Sequence, residues 1–128
     1  MKILMDTHVF LWALTLDARL SSRALETLAD PEFQFTLSVA SVWEMLIKAQ
    51  RGKLPFPSPA APYLADQMRR TAISILPVEL DHVLQIDKLP LHHRDPFDRI
   101  LIAQAQAESL PILTGDRQFA RYGVETIW

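Results

Sequence analysis

The sequence has no cysteine, which removes disulfides, thiolate metal sites and cysteine nucleophiles together. Its three glycines, Gly52, Gly115 and Gly123, lie too far apart to build a phosphate-cradling loop, so nucleotide binding of that kind is excluded. No apolar run reaches the ~20 residues of a membrane span. Lys2 alone makes a poor start for a secretion signal, and the expected location is the cytoplasm. A formal net charge of -2 gives no general attraction for nucleic acid, so any grip on phosphates must be local. There is no internal repeat, and the only biased stretch is the proline-rich Leu54-Pro55-Phe56-Pro57-Ser58-Pro59, too short to be a domain linker.

What is present is enough apolar residue, 49% of 128, for one compact domain over residues 1–128 with a real core. Short β-prone runs alternate with helical patterns. Lys2-Ile3-Leu4-Met5 reads as a buried strand, Val9–Leu16 as a helix, and Ser21 or Ser22 opens a second helix that Asp30-Pro31 ends. The run 33–37 reads as a strand, followed by a helix that stops near Gly52. After the proline connector come a helix over 60–71, a strand over 73–78, a helix over 79–86, the alanine-rich helix after Pro96 and a terminal edge strand over 124–127. Strands separated by helices imply right-handed crossovers, hence a three-layer α/β/α fold with a mostly parallel sheet. The strand order does not follow from the sequence.

Four acids stand where strands turn into helices or just inside a helix: Asp6, Glu44, Asp98 and Asp116. The outer ends of parallel strands are where such sheets place ligand groups. Clustered carboxylates repel unless a cation neutralises them, and an all-oxygen donor set favours Mg²⁺ or Mn²⁺ over zinc. The chemistry most often built this way is metal-assisted hydrolysis of a phosphodiester.

Glu44, Asp98 and the neighbouring Asp95 also have plain structural roles to weigh. Ser41 and Glu44 have the spacing of a capping box, unless the helix already begins at Ser38. Asp95 followed by Pro96 fits an N-cap with proline at the first helical position, and Asp98 in the first turn complements the helix dipole. Arg99 and Arg117 are placed either to grip phosphates beside the metal or to hold Asp95, Asp98 or Asp116 in salt bridges. Arg94, Lys48, Arg51 and Lys53 are either phosphate contacts or ordinary solvated helix ends. His92-His93 tempts a metal or general-base reading, but adjacent side chains in an extended segment point opposite ways, so one metal is not expected to take both. They are read as flanking the site, with His8 and His82 as packing or surface residues. Phe10, Trp12, Trp43 and Phe97 read as core or interface.

Leu4-Met5-Asp6-Thr7-His8, Ser41-Val42-Trp43-Glu44, His93-Arg94-Asp95-Pro96-Phe97-Asp98-Arg99 and Leu113-Thr114-Gly115-Asp116-Arg117, in this order over nearly the whole chain, resemble the PIN-domain ribonucleases of the VapC toxin type. The resemblance implies a Mg²⁺- or Mn²⁺-dependent endoribonuclease, neutralised by a small VapB-like antitoxin and assembled as a homodimer. It places the catalytic and metal-binding role on Asp6, Glu44, Asp98 and Asp116, with Thr7, Asp95, Arg99 and Thr114 in support. Thr7 is expected to bond an acid or a metal-bound water, or else to cap the first helix. Gly115 stands where many members carry asparagine, either residue tolerating the turn. A DNA-directed nuclease of similar fold and a non-catalytic PIN-like binding module are the alternatives. A receiver-like domain is disfavoured, because no lysine follows Lys88 to serve as its switch.

Overall fold

A computed structural model describes residues 1–128. Five strands form one all-parallel sheet in the order β3-β2-β1-β4-β5. They are β1 (Lys2–Met5), β2 (Gln34–Ser38), β3 (Ser74–Leu76), β4 (Ile112–Leu113) and β5 (Thr126–Ile127). The helices are α1 (Thr7–Thr15), α2 (Ser22–Ala29), α3 (Val39–Gln50), α4 (Ala60–Arg70), α5 (Leu80–Gln85) and α6 (Pro96–Glu108). Short 3₁₀ turns follow α5 at Ile86–Lys88 and precede β5 at Phe119–Tyr122.

The period of two along each strand divides the core into two layers. Ile3, Met5, Leu37, Leu113 and Ile127 face Val9 and Phe10 of α1, Ala24 of α2, Met45 of α3 and Leu64 of α4. Leu4 and Ile112 face the other way, onto Leu101, Ile102, Ala103 and Ala105 of α6 together with Phe119 and Tyr122. The expected three-layer α/β/α architecture is therefore what forms. No helix is long and apolar enough to cross a membrane.

Local rules account for most helix ends. The Ser21 side chain accepts from Ala24 N, and Asp95 Oδ1 accepts from Phe97 N at 2.8 Å and Asp98 N at 3.3 Å with Pro96 next in line. At α3 the cap is Ser38, whose Oγ accepts from Ala40 N at 3.1 Å. The Ser41–Glu44 capping box is not what starts this helix, because both residues already lie inside it. Asp6 caps α1 by accepting from His8 N at 3.3 Å, so the helix begins at Thr7 rather than Val9.

β1 sits in the middle of the sheet, with β2 on one side and β4 on the other. Connections leave it in opposite directions there, which opens a crevice beyond the carboxyl ends of these strands.

Candidate active site

Three chain segments leave the sheet into that crevice. Asp6 follows β1, α3 follows β2 directly, and Thr114-Gly115-Asp116 follows β4. The N-terminus of α6 brings Asp98 from the far layer. Asp6 and Glu44 are each only 4% exposed, and the Asp98 side chain 13%.

Asp6 is held from two sides. Its Oδ1 receives the His8 amide, and its Oδ2 accepts the Thr114 hydroxyl at 2.7 Å. Thr114 Oγ1 in turn accepts from Asp116 N at 3.0 Å, and Asp116 Oδ1 accepts from Gln118 N at 2.9 Å. Glu44 bonds Lys48 one turn on, with Nζ 3.0 Å from Oε2, while its buried Oε1 has no hydrogen-bond partner.

The electrostatics show that the acids converge. The Asp98 carboxyl is pushed up to about 7, chiefly by burial, with the charges of Asp6, Asp95 and Glu44 acting in the same direction and His93 opposing them. Asp6 is raised as well, mainly by burial, with Asp116 adding and the Thr114 hydrogen bond and His8 subtracting. Asp98 thus feels the charges of Asp6 and Glu44, and Asp6 that of Asp116, while Asp98, Asp116 and His93 bring ligand atoms within 4.8 Å of one another. A buried acceptor left without a donor and two carboxyls held above their usual range describe a site short of positive charge. An oxygen-rich donor set of this kind fits a hard divalent cation.

One residue of the site was not expected from sequence. His93 Nε2 lies 2.9 Å from Asp98 Oδ2 and 3.0 Å from Asp116 Oδ2, so the crevice is not purely acidic. His92 turns away and sets its ring edge-on to Tyr122, with centroids 5.1 Å apart. The alternation that argued against both histidines entering the site was sound. It gave no reason to choose the one that does, since that choice belongs to the loop's tertiary path.

Three supporting roles differ from expectation. Thr7 neither touches an acid nor caps α1; its hydroxyl donates to Ser41 Oγ at 2.8 Å, tying α1 to α3 beneath Asp6 and Glu44. Arg99 bridges no carboxylate. Its guanidinium donates to the carbonyls of Pro90 at 2.9 Å, Leu89 at 3.3 Å and His93 at 3.3 Å, clamping the loop that carries His93. Gly115 is required for space rather than for backbone freedom: it has no positive φ, and a Cβ there would come within 2.8 Å of the Trp128 ring.

Beside Glu44, residues Lys48, Arg51 and Lys53 line a cleft with Asp95 and Phe97. Arg94 and Arg117 are exposed nearby in sequence. His8 is largely exposed, whereas His82 is fully buried, bonded to Glu108 Oε1 at 2.8 Å and accepting from Glu79 N at 3.0 Å. Trp43, 62% exposed, packs edge-on against Phe97 in an apolar groove with Val39, Ile47 and Val83.

A parallel α/β domain with a carboxylate site at the switch point of its sheet is the class that fold and geometry define. Sequence comparison makes this specific: a family model for the PIN domain matches residues 3–125, and the chain belongs to that family. It is 42% identical over 69 residues to Ribonuclease VapC16 of Mycobacterium tuberculosis, a stretch that covers 54% of this chain and 46% of that relative's length. Its fold is similar to VapBC2 of Rickettsia felis, solved bound to a promoter DNA fragment, with TM-score 0.70, 14% identity and full coverage of both chains. It is similar also to VapBC-5 of Mycobacterium tuberculosis, a member of a family of toxin-antitoxin systems, with TM-score 0.63, 21% identity and coverage of 98% and 97%.

Proposed function

We propose that this protein is a Mg²⁺- or Mn²⁺-dependent endoribonuclease that acts as a toxin, works in the cytoplasm and is held inactive by a small cognate antitoxin. The observation that carries the reading is the electrostatic coupling of the buried Asp6 and Asp98 with Glu44 and Asp116, where Glu44 Oε1 lacks a partner and Asp98 is pushed up to about 7. Asp6, Glu44, Asp98 and Asp116 are the residues that would hold the ion. A bound divalent ion supplies charge to polarise a phosphate and to lower the pKa of water.

The chain's own residues do the rest. Thr114 fixes the Asp6 carboxylate by its hydroxyl, and the Asp6 cap bond to α1 fixes the other oxygen. Lys48, Arg51 and Lys53 are placed to take the phosphates that flank the scissile one, giving a cationic rim to a protein of net negative charge. An acidic crevice at the rim of the sheet suits single-stranded or looped RNA, whose backbone can bend into it, better than a stiff duplex.

The antitoxin is supported by the toxin-antitoxin assemblies among the similar folds. The exposed Trp43–Phe97 groove is apolar surface of the kind that protein partners cover. A homodimer is part of the same reading, and sedimentation as a monomer across micromolar concentrations would remove it.

The test incubates wild-type protein and Asp98→Asn with total RNA, with Mg²⁺ or Mn²⁺ and with chelator, and maps new RNA ends by sequencing. New ends that require both metal and Asp98 are expected. Cleavage of single-stranded DNA but not RNA would move the assignment to the DNA-directed reading, and no cleavage of either by metal-loaded protein would move it to a binding module.

A further inference from the structure

His93 lies inside the acid cluster, where an imidazole has three possible roles: metal ligand, general base or hydrogen-bond donor. Its surroundings discriminate among them. The backbone is pinned on both sides, with His93 N donating to Tyr122 Oη at 2.7 Å and His93 O accepting from Arg99 Nη1 at 3.3 Å. The ring stands edge-on to Phe119 at 5.9 Å. Its Nδ1 accepts the Asp95 backbone N–H at 3.3 Å.

That last contact decides the tautomer. A backbone amide can only donate, so Nδ1 must offer a lone pair, and the single hydrogen of a neutral imidazole then resides on Nε2. This hydrogen points between Asp98 Oδ2 at 2.9 Å and Asp116 Oδ2 at 3.0 Å. An Nε2 that carries hydrogen has no lone pair for a metal or for a proton from water.

We propose that His93 is a positioning residue: an Nε2–H donor, oriented by the Asp95 amide, that ties Asp98 of α6 to Asp116 of the β4 loop and sets the spacing of two cation-binding carboxylates without itself binding the cation. Two like charges brought from different layers of the fold would otherwise spread apart. The same loop explains Arg99 and Tyr122, which hold His93 in place and reach the site only through it. The role in ion binding rests on the metal-site reading above; the tautomer does not.

The experiment has two arms on the full chain. In the first, histidine-labelled protein in chelator at neutral pH is read by ¹⁵N–¹H correlation NMR. A pyridine-like Nδ1 and a pyrrole-like Nε2 are expected for His93, and the reverse pattern, or two pyrrole-like nitrogens, overturns the proposal. In the second, Mn²⁺ binding is followed by EPR for wild type, His93→Ala and His93→Gln, with circular dichroism confirming the fold. Wild type should show no imidazole nitrogen coupled to Mn²⁺. His93→Ala should bind the ion on the order of tenfold more weakly, as loss of a ligand's orienting partner does. His93→Gln, whose side-chain N–H reaches a similar point, should recover most of the loss.

Nitrogen coupling in the wild type, an unchanged His93→Ala, or a folded His93→Gln as weak as His93→Ala would each overturn the role. Absence of Mn²⁺ binding by wild type with the expected tautomer would overturn the metal-site reading and this role with it. A wrong tautomer with Mn²⁺ binding intact would overturn this role alone.

Discussion

Thr114 Oγ1 donates a 2.7 Å hydrogen bond to Asp6 Oδ2 across 108 positions of sequence, joining the segments that leave the central strand β1 and its neighbour β4. A buried hydrogen bond to a charged acceptor contributes about 1.5–3 kcal/mol. Thr114→Val should therefore loosen Asp6, raise its pKa further and cut metal-dependent cleavage by roughly tenfold, on the scale typical of residues that orient a metal ligand. Thr114→Ser should keep most of the activity. Comparing cleavage rates of the two variants under saturating metal checks this, and equal losses would refute a hydrogen-bonding role.

Asp98 gives the metal-free protein a defined pH dependence. Its folded-state pKa is raised from 3.8 to about 7, so the folded protein holds this proton more tightly than the unfolded chain does. The stability it contributes is full below pH ~4 and is lost as pH rises toward about 7. Urea unfolding in chelator should show stability falling over that window, and Asp98→Asn should flatten the fall while abolishing cleavage.

Added Mg²⁺ or Mn²⁺ should reverse that loss at neutral pH. A ligand that binds only the folded state stabilises by about 2.7 kcal/mol at a hundred times its Kd. Thermal unfolding should shift upward with metal concentration in the wild type and barely move in Asp6→Asn. An equal shift in both proteins would place the ion elsewhere.

Ser38 and Glu44 separate capping from chemistry on α3. Because Ser38 Oγ makes the cap bond, Ser38→Ala should cost about 1 kcal/mol of stability. Glu44→Gln relieves a buried anion with an unpaired oxygen but gives up the 3.0 Å ion pair with Lys48, so its stability change should be small, yet it should abolish cleavage. Denaturant unfolding together with an RNA cleavage assay reads both.

Gly115→Ala should be costly for reasons of space. A Cβ would meet Trp128 Cε2 at 2.8 Å, and Trp128 packs on Trp12 with centroids 5.9 Å apart. Overpacking of this kind costs typically about 1–3 kcal/mol. A lowered unfolding midpoint and altered tryptophan fluorescence are expected, with reduced cleavage because Asp116 is the next residue.

The local patterns in the sequence determined a great deal here. Short apolar, β-prone runs and helical runs between them specify a parallel α/β/α domain. Ser21, and Asp95 with Pro96, mark helix starts by short-range hydrogen bonding, and an acid after each central strand marks the rim that carries the site. All of these depend on residues a few positions apart, where backbone geometry alone decides the outcome. The tertiary structure decided what involves distant partners: the order β3-β2-β1-β4-β5 that makes β1 and β4 neighbours, the diversion of the Thr7 hydroxyl to Ser41, and the turning of Arg99 toward loop carbonyls. It also decided that His93 enters the acid cluster while His92 turns out to Tyr122. Adjacent residues in an extended loop are equivalent until packing fixes which side faces the sheet, and that packing comes from Arg99 six positions on and from Tyr122 and Phe119, both remote enough that no local pattern in the sequence encodes the contact.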